Sequence, residues 1–170
     1  MPYHIHNTPA LKQRSVVDYV SGYVDGEGCF SVSFSKRDKM TVGWEVKPSL
    51  AVGQNHDRAE VLYLIQSYFG AGHIRRDFIG NNHTLKWEVR RLHDLCEIII
   101  PHFTKFPMLS SKQNDFKLFA QICCLLQQEE HVHLKGFSRI VELACMMNTS
   151  GRRKYSKENI IEHARLQMKI

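Results

Sequence analysis

The chain has no hydrophobic run long enough to cross a bilayer. Its longest apolar stretches, such as Leu95 to Pro101, fall far short of the roughly 20 residues that a membrane helix needs. Met1 to Lys12 holds no apolar run, so no secretory signal is expected there. Cysteine is scarce at five residues, odd in number and never spaced as CxxC, which excludes a disulfide scaffold and points to buried thiols in a reducing compartment. The ten histidines do not supply a zinc motif either. His4 and His6, like His131 and His133, merely alternate, and no Cys/His spacing of the finger kind occurs. An internal repeat is also missing.

What remains describes a soluble globular protein. With 43% hydrophobic and 24% charged residues, the 170-residue chain can build one core and is not a disordered polymer. The formal charge of +6 and sequence pI near 9.1 suit a polyanionic partner without proving one.

Periodicity divides the chain into an N-terminal arm (1–14), a core domain (15–128) and a helical extension of the same domain (129–170). Ser15 is placed to cap a helix from Val16 to about Val24, ending at the glycine cluster Gly26 and Gly28. Residues 29–36 then alternate strictly, predicting a half-buried strand with Phe30, Val32 and Phe34 inward and Ser31, Ser33 and Ser35 outward. A turn over Lys36 to Lys39 leads to a second strand, Thr41 to Val52. A helix over Asp57 to Tyr68 is closed by Gly70 and Gly72. His73 to Ile79 and Thr84 to Arg90 read as a hairpin across Gly80-Asn81-Asn82. Helices follow at Leu92 to Ile100, stopped by Pro101, at Lys112 to Gln128, at about Leu134 to Met147 and at Lys157 to Met168. The fold class expected is α+β: a four-stranded antiparallel sheet in αββαββα order, backed by helices, with extra C-terminal helices. Ser31, Ser33, Ser35, Lys47, Arg75, Asp77, Lys86, Glu88 and Arg90 would share its open, polar face.

One segment carries chemistry. In Val20-Ser21-Gly22-Tyr23-Val24-Asp25-Gly26-Glu27-Gly28, Gly22 and Gly26 lie four apart on one helix face, leaving backbone open to close approach by another helix. Two such helices about a twofold axis would bring two Glu27 carboxylates together, where hard cations must separate them. The segment resembles the LAGLIDADG signature, with matching glycine, acid, small residue, acid and glycine at its third, sixth, seventh, eighth and ninth places. The resemblance continues through Gln54, Arg58 and Phe69-Gly70-Ala71-Gly72-His73-Ile74, and covers roughly residues 15–128.

The resemblance implies a saddle-shaped sheet and a homing endonuclease of the single-motif, homodimeric type, which cuts a long pseudo-palindromic double-stranded DNA target and promotes intron homing. It implies Mg²⁺ as cofactor, with Mn²⁺ or Ca²⁺ as possible occupants, and no small-molecule cofactor or membrane partner. Glu27 would be the metal ligand and Gly26 an accessory ligand through its carbonyl, while Asp25 braces the helix end. Gln54 would position the attacking water, Arg58 would hold the water network and phosphate, and Lys112 would be the transition-state cation. Here the chain departs from the family pattern, because the best-matching register puts Ser110 where members place a lysine. Ser21, Gly22, Asp25 and Gly26 would form the dimer interface. Ser31, Ser33, Ser35, Arg37, Lys47, Arg75, Asp77 and Lys86 would read DNA, with Arg152, Arg153 and Lys154 touching phosphate. The expected location is intracellular, in a bacterial cytoplasm or an organelle. The alternative is an intron RNA maturase, or a DNA-binding protein that does not cut, on the same scaffold.

Overall fold

The computed structural model describes residues 13–77, 84–149, 151 and 153–169, with side chains from residue 16. Their elements run α1 (Gln13–Glu27), β1 (Gly28–Lys36), β2 (Trp44–Asn55), α2 (Glu60–Phe69), β3 (His73–Asp77), β4 (Thr84–Val89), α3 (Leu92–Asp94), α4 (Ile100–Lys105), α5 (Lys112–Gln127), α6 (Leu134–Met146) and α7 (Lys157–Gln167). Short 3₁₀ turns cover His56–Arg58 and Glu130–Val132. The sheet has the strand order β1-β2-β4-β3, the expected four-stranded α+β arrangement.

Most predicted boundaries fall within a few residues of the observed ones, but two local readings do not survive. Helix α1 is already formed at Gln13, so Ser15 lies inside it and is not its N-cap. Gln13 and Arg14 are good helix formers and extend it by a turn. Pro101 does not stop the helix that starts at Leu92. A π-helical turn, Leu95–Ile99, precedes it, and helix continues through Ile100–Lys105 with the proline in its first positions. The proline directly follows the register shift that the π turn introduces. The cysteine expectation also needs correction. Cys123 is buried, whereas Cys29 and Cys124 are exposed. The expected hairpin tip at 80–82 lies outside the described residues.

Two compact units divide the chain, one made of 1–29 with 49–113 and the other of 30–48 with 114–170. The C-terminal helices thus share a unit with β1 and the start of β2. In the first unit, β2 and β4 pair antiparallel with Leu50 opposite Val89, Val52 opposite Trp87 and Gln54 opposite Leu85. These side chains alternate inward, and Leu50, Val52, Trp87 and Val89 are at most 1% exposed. Leu62, Ile65 and Leu95 join that core, and the Phe69 ring stacks on Trp87 at 5.5 Å. Gly70 takes a left-handed φ of 62° and ends α2 by donating its N–H to Gln66 O, a conformation that favours glycine. In the second unit, Val42, Trp44, Phe137, Val141, Ile160 and Ala164 form the core, and Phe30 packs its ring against Phe116 and Phe119 at 5.4 and 5.2 Å.

Helix α1 is held from within the first unit. Val20 and Val24 are fully buried, and Ser21 is 8% exposed. Ser21 Oγ lies 3.1 Å from His102 Nε2, and Tyr68 OH lies 3.2 Å from His102 Nδ1. The His102 ring also sits among Phe69, Phe103 and Phe106. Burial pushes the imidazole down to about 4, so it is neutral at physiological pH. As pH falls from about 6.5 toward 4, the unfolded chain gains a proton here that the folded one refuses, so stability drops through that window. His102→Gln keeps a neutral donor and acceptor but cannot titrate. Its melting temperature should therefore fall less steeply than wild type between pH 6.5 and 5 in differential scanning calorimetry, and parallel curves would refute this role.

Candidate active site and nucleic-acid interface

The end of α1 is where the chemistry-bearing residues converge. A helix C-terminus leaves carbonyls without intrahelical partners and concentrates negative dipole charge. Lys112 answers this need: its Nζ donates to Val24 O at 3.0 Å and to Gly26 O at 3.3 Å. Asp25 accepts from the backbone N–H groups of Leu109 and Ser110, both at 3.0 Å, and from the Ser110 hydroxyl. Burial acts to raise its carboxyl, but the bonds from Ser110 and Leu109 and the charge of Lys112 outweigh it and hold the group below the usual carboxylate range. Ser110 stands where the family pattern has a lysine. Here it ties the start of α5 to the motif through Asp25 and the Lys112 N–H.

Glu27 closes the helix with its side chain exposed. The turn into β1 depends on Gly28, where an added Cβ would lie 2.6 Å from both the carbonyl oxygen and a methyl of Val24. Gln54, at the end of β2, donates through Nε2 to Tyr23 OH at 2.6 Å, while its Oε1 accepts from Asn55 N at 2.8 Å. The Tyr23 hydroxyl is pushed up, chiefly by burial, with the Glu27 charge adding and the Gln54 bond opposing. Arg58 is exposed on the turn after β2.

The donor set suits a hard cation. Glu27 supplies a carboxylate and Gly26 a carbonyl, both oxygen ligands of the kind Mg²⁺ and Ca²⁺ take. Among the described residues no three His, Cys, Asp or Glu side chains cluster.

Of the residues expected at a dimer interface, Gly22 and Gly26 are exposed, and no atom lies within 4 Å of the place where a Cβ would stand on either. Ser21 instead points inward to His102, and Asp25 is engaged by the 109–110 loop.

The sheet residues expected to read DNA are polar and accessible within each unit. In the second, Ser33 is exposed, Ser31 and Ser35 are half-buried, and Lys47 Nζ reaches Ser35 Oγ at 3.4 Å. Glu45 holds Arg37 at 2.7 Å and Lys47 at 3.2 Å, and the Arg37 bond is the largest reason its carboxyl lies below the usual range. In the first, Asp77 pairs with Lys86 at 2.8 Å and approaches Arg75 at 3.7 Å. Glu88 departs from expectation: it shares a strand face with Lys86 yet is only 4% exposed, because two arginines cover it. Arg153 departs too. Its guanidinium donates to Ala144 O and, at 3.1 Å, to Met147 O, so it caps α6 where a phosphate contact was expected. Lys154 is exposed, and Arg152 lies outside the described residues.

The model of the family described as LAGLIDADG endonuclease matches residues 20–123. A probable intron-encoded endonuclease 2 of Neurospora crassa is 32% identical over 131 residues, covering 76% of this chain and 28% of its own length. The homing endonuclease I-ApeII of Aeropyrum pernix is 27% identical over 165 residues, 89% of this chain and 92% of that protein. Among solved structures, the archaeal intron-encoded homing endonuclease I-Vdi141I complexed with DNA superimposes with a TM-score of 0.85 at 26% identity, covering 92% of this chain and 98% of that one. The chain spans only about a quarter of the length of the first curated relatives it matches. The matched motif, with its two exposed glycines and terminal acid, and the four-stranded sheet that follows it place this chain in the LAGLIDADG endonuclease family.

Proposed function

We propose that the chain is a homing endonuclease that cuts both strands of a long pseudo-palindromic DNA site as a pair of identical copies, with Mg²⁺ as the cofactor. The observation that carries this reading is the bare face of α1. A glycine inside a helix costs about 1 kcal/mol relative to alanine, and α1 bears two on a side where none of the described residues needs the space. Something outside the chain must offset that loss, and a second backbone at close range does so. Tyr19, 48% exposed on the same helix, and Leu109, 97% exposed in the loop bonded to Asp25, add apolar surface suited to such a partner.

Paired in this way, two copies double the oxygen donors at the helix ends and relieve the shortage of ligands in one. Divalent ions held there would activate water and draw charge from the scissile phosphate and its leaving oxygen. The rest falls to side chains. The Glu27 carboxylate and the backbone carbonyl of Gly26 would hold the ions. Gln54, fixed by Tyr23, offers Oε1 to orient the attacking water. Lys112 carries a flexible stem and three N–H donors, so it can exchange a helix carbonyl for a phosphate oxygen as negative charge builds there. Arg58 stands ready to contact the water network and the phosphate. Ser31, Ser33, Ser35, Arg37 and Lys47 in one unit, and Arg75, Asp77 and Lys86 in the other, would meet base edges in the major groove, while Lys154 touches backbone.

Glu27→Gln should slow cleavage of plasmids carrying sites selected from a random library by at least about a hundredfold, or roughly 3 kcal/mol of barrier. DNA binding in a gel shift should change little, and cutting at the normal rate would sink the catalytic assignment. Gly22→Leu should convert a dimer to a monomer in sedimentation experiments. Its thermal stability as a monomer should not suffer, since the site is open and leucine favours helix. A mass still equal to two chains would eliminate the glycine seam.

A further inference from the structure

A carboxylate on the polar face of a sheet is ordinarily solvated, yet Glu88 on β4 is 4% exposed. Each of its oxygens meets a different guanidinium: Arg75 Nε lies 3.0 Å from Oε2, and Arg90 Nη2 lies 3.0 Å from Oε1. Burial pushes the Glu88 carboxyl up, but the Arg75 bond and the charges of both arginines pull it further down, so it stays ionised at neutral pH. Arg75 is fixed at more than one point. Its Nη1 also donates to Arg76 O at 3.3 Å and sits 3.7 Å from Asp77. That leaves Nη2 as the nitrogen with donors for an outside acceptor. Arg90 spends one terminal nitrogen on Glu88 and remains 59% exposed just past the end of β4.

The arginine ends of these pairs stay solvated, at 35% and 59% exposure. Their effect is on order: two long side chains that would otherwise sample many rotamers are set in place before any ligand arrives. One carboxylate under two guanidiniums also leaves a net positive charge at the surface.

We infer that Glu88 is a positioning residue for DNA recognition, holding Arg75 toward a base-edge acceptor and bringing Arg90 in as a phosphate contact. This rests on the proposed reading of the chain as a DNA endonuclease and deepens it. Lys86 and His73 flank the group on the same face, with His73 directly opposite Glu88 and Lys86 opposite Arg75. The arginine at the strand end, more exposed than the one within the ladder, is the one with reach to a backbone.

The test is a binding selection from a random duplex library with the wild-type chain, Glu88→Gln, Arg75→Gln and Arg90→Gln, followed by salt titration on the selected sites. Arg75→Gln should relax the preference at one position of each half-site by at least about fivefold, the low end for a lost base contact. Glu88→Gln should relax the same position while overall affinity holds or rises, since a negative charge is lost. Arg90→Gln should keep the sequence pattern and lower the salt slope by about 1. A Glu88→Gln pattern identical to wild type, or altered only at positions Arg75→Gln leaves alone, overturns the inference. If circular dichroism shows that Glu88→Gln does not fold, the arginine variants decide, and an unchanged salt slope for Arg90→Gln refutes it. A wild-type chain that selects no sequence would instead defeat the proposed function.

Discussion

The C-terminus of α1 constrains the rest of the site. A helix that ends with open carbonyls and an exposed Glu27 favours cations at its tip, and its two bare glycines leave room for a backbone along its side. Lys112 supplies a cation from the start of α5, and Asp25 secures that arrangement by gripping the loop at Leu109 and Ser110. Among the described residues, none fills the space along the glycine face. On the proposed reading, a single twofold contact would cover that glycine face and bring a second Glu27 to the same place.

Much of this was legible in local pattern. Alternation over 29–36 fixed which side of β1 faces the core, and the 3.6-residue recurrence of Val61, Leu62, Ile65 and Phe69 located α2. The motif placed Gly22, Gly26 and Glu27 on one helix, as observed in α1, because its requirements are confined to nine consecutive residues. Pro101 misled for a physical reason. The rule that proline ends a helix assumes an unbroken α ladder, and periodicity gives no sign of the π turn that shifts the register ahead of it.

Contacts between distant parts of the chain were not legible. Ser21 meets His102 across 81 residues and Asp25 meets Ser110 across 85, so neither pairing leaves a local trace. Ser21 consequently read as an interface residue although it faces inward. Parity placed Glu88 on the open face correctly, but exposure depends on what neighbouring side chains cover, and Arg75 and Arg90 fold over it. Arg153 followed a basic run that resembled a phosphate patch, yet the carbonyls ending α6 claim it.

The clasp between Asp25 and residues 109–110 couples two properties that are usually studied apart. The helix proposed to meet a partner and the segment proposed to deliver the ammonium group are fastened to each other, so displacing one drags the other. Loss of turnover in a variant of either segment is therefore ambiguous by itself. Assembly and chemistry can be separated here only by measuring how many chains associate alongside how fast they work.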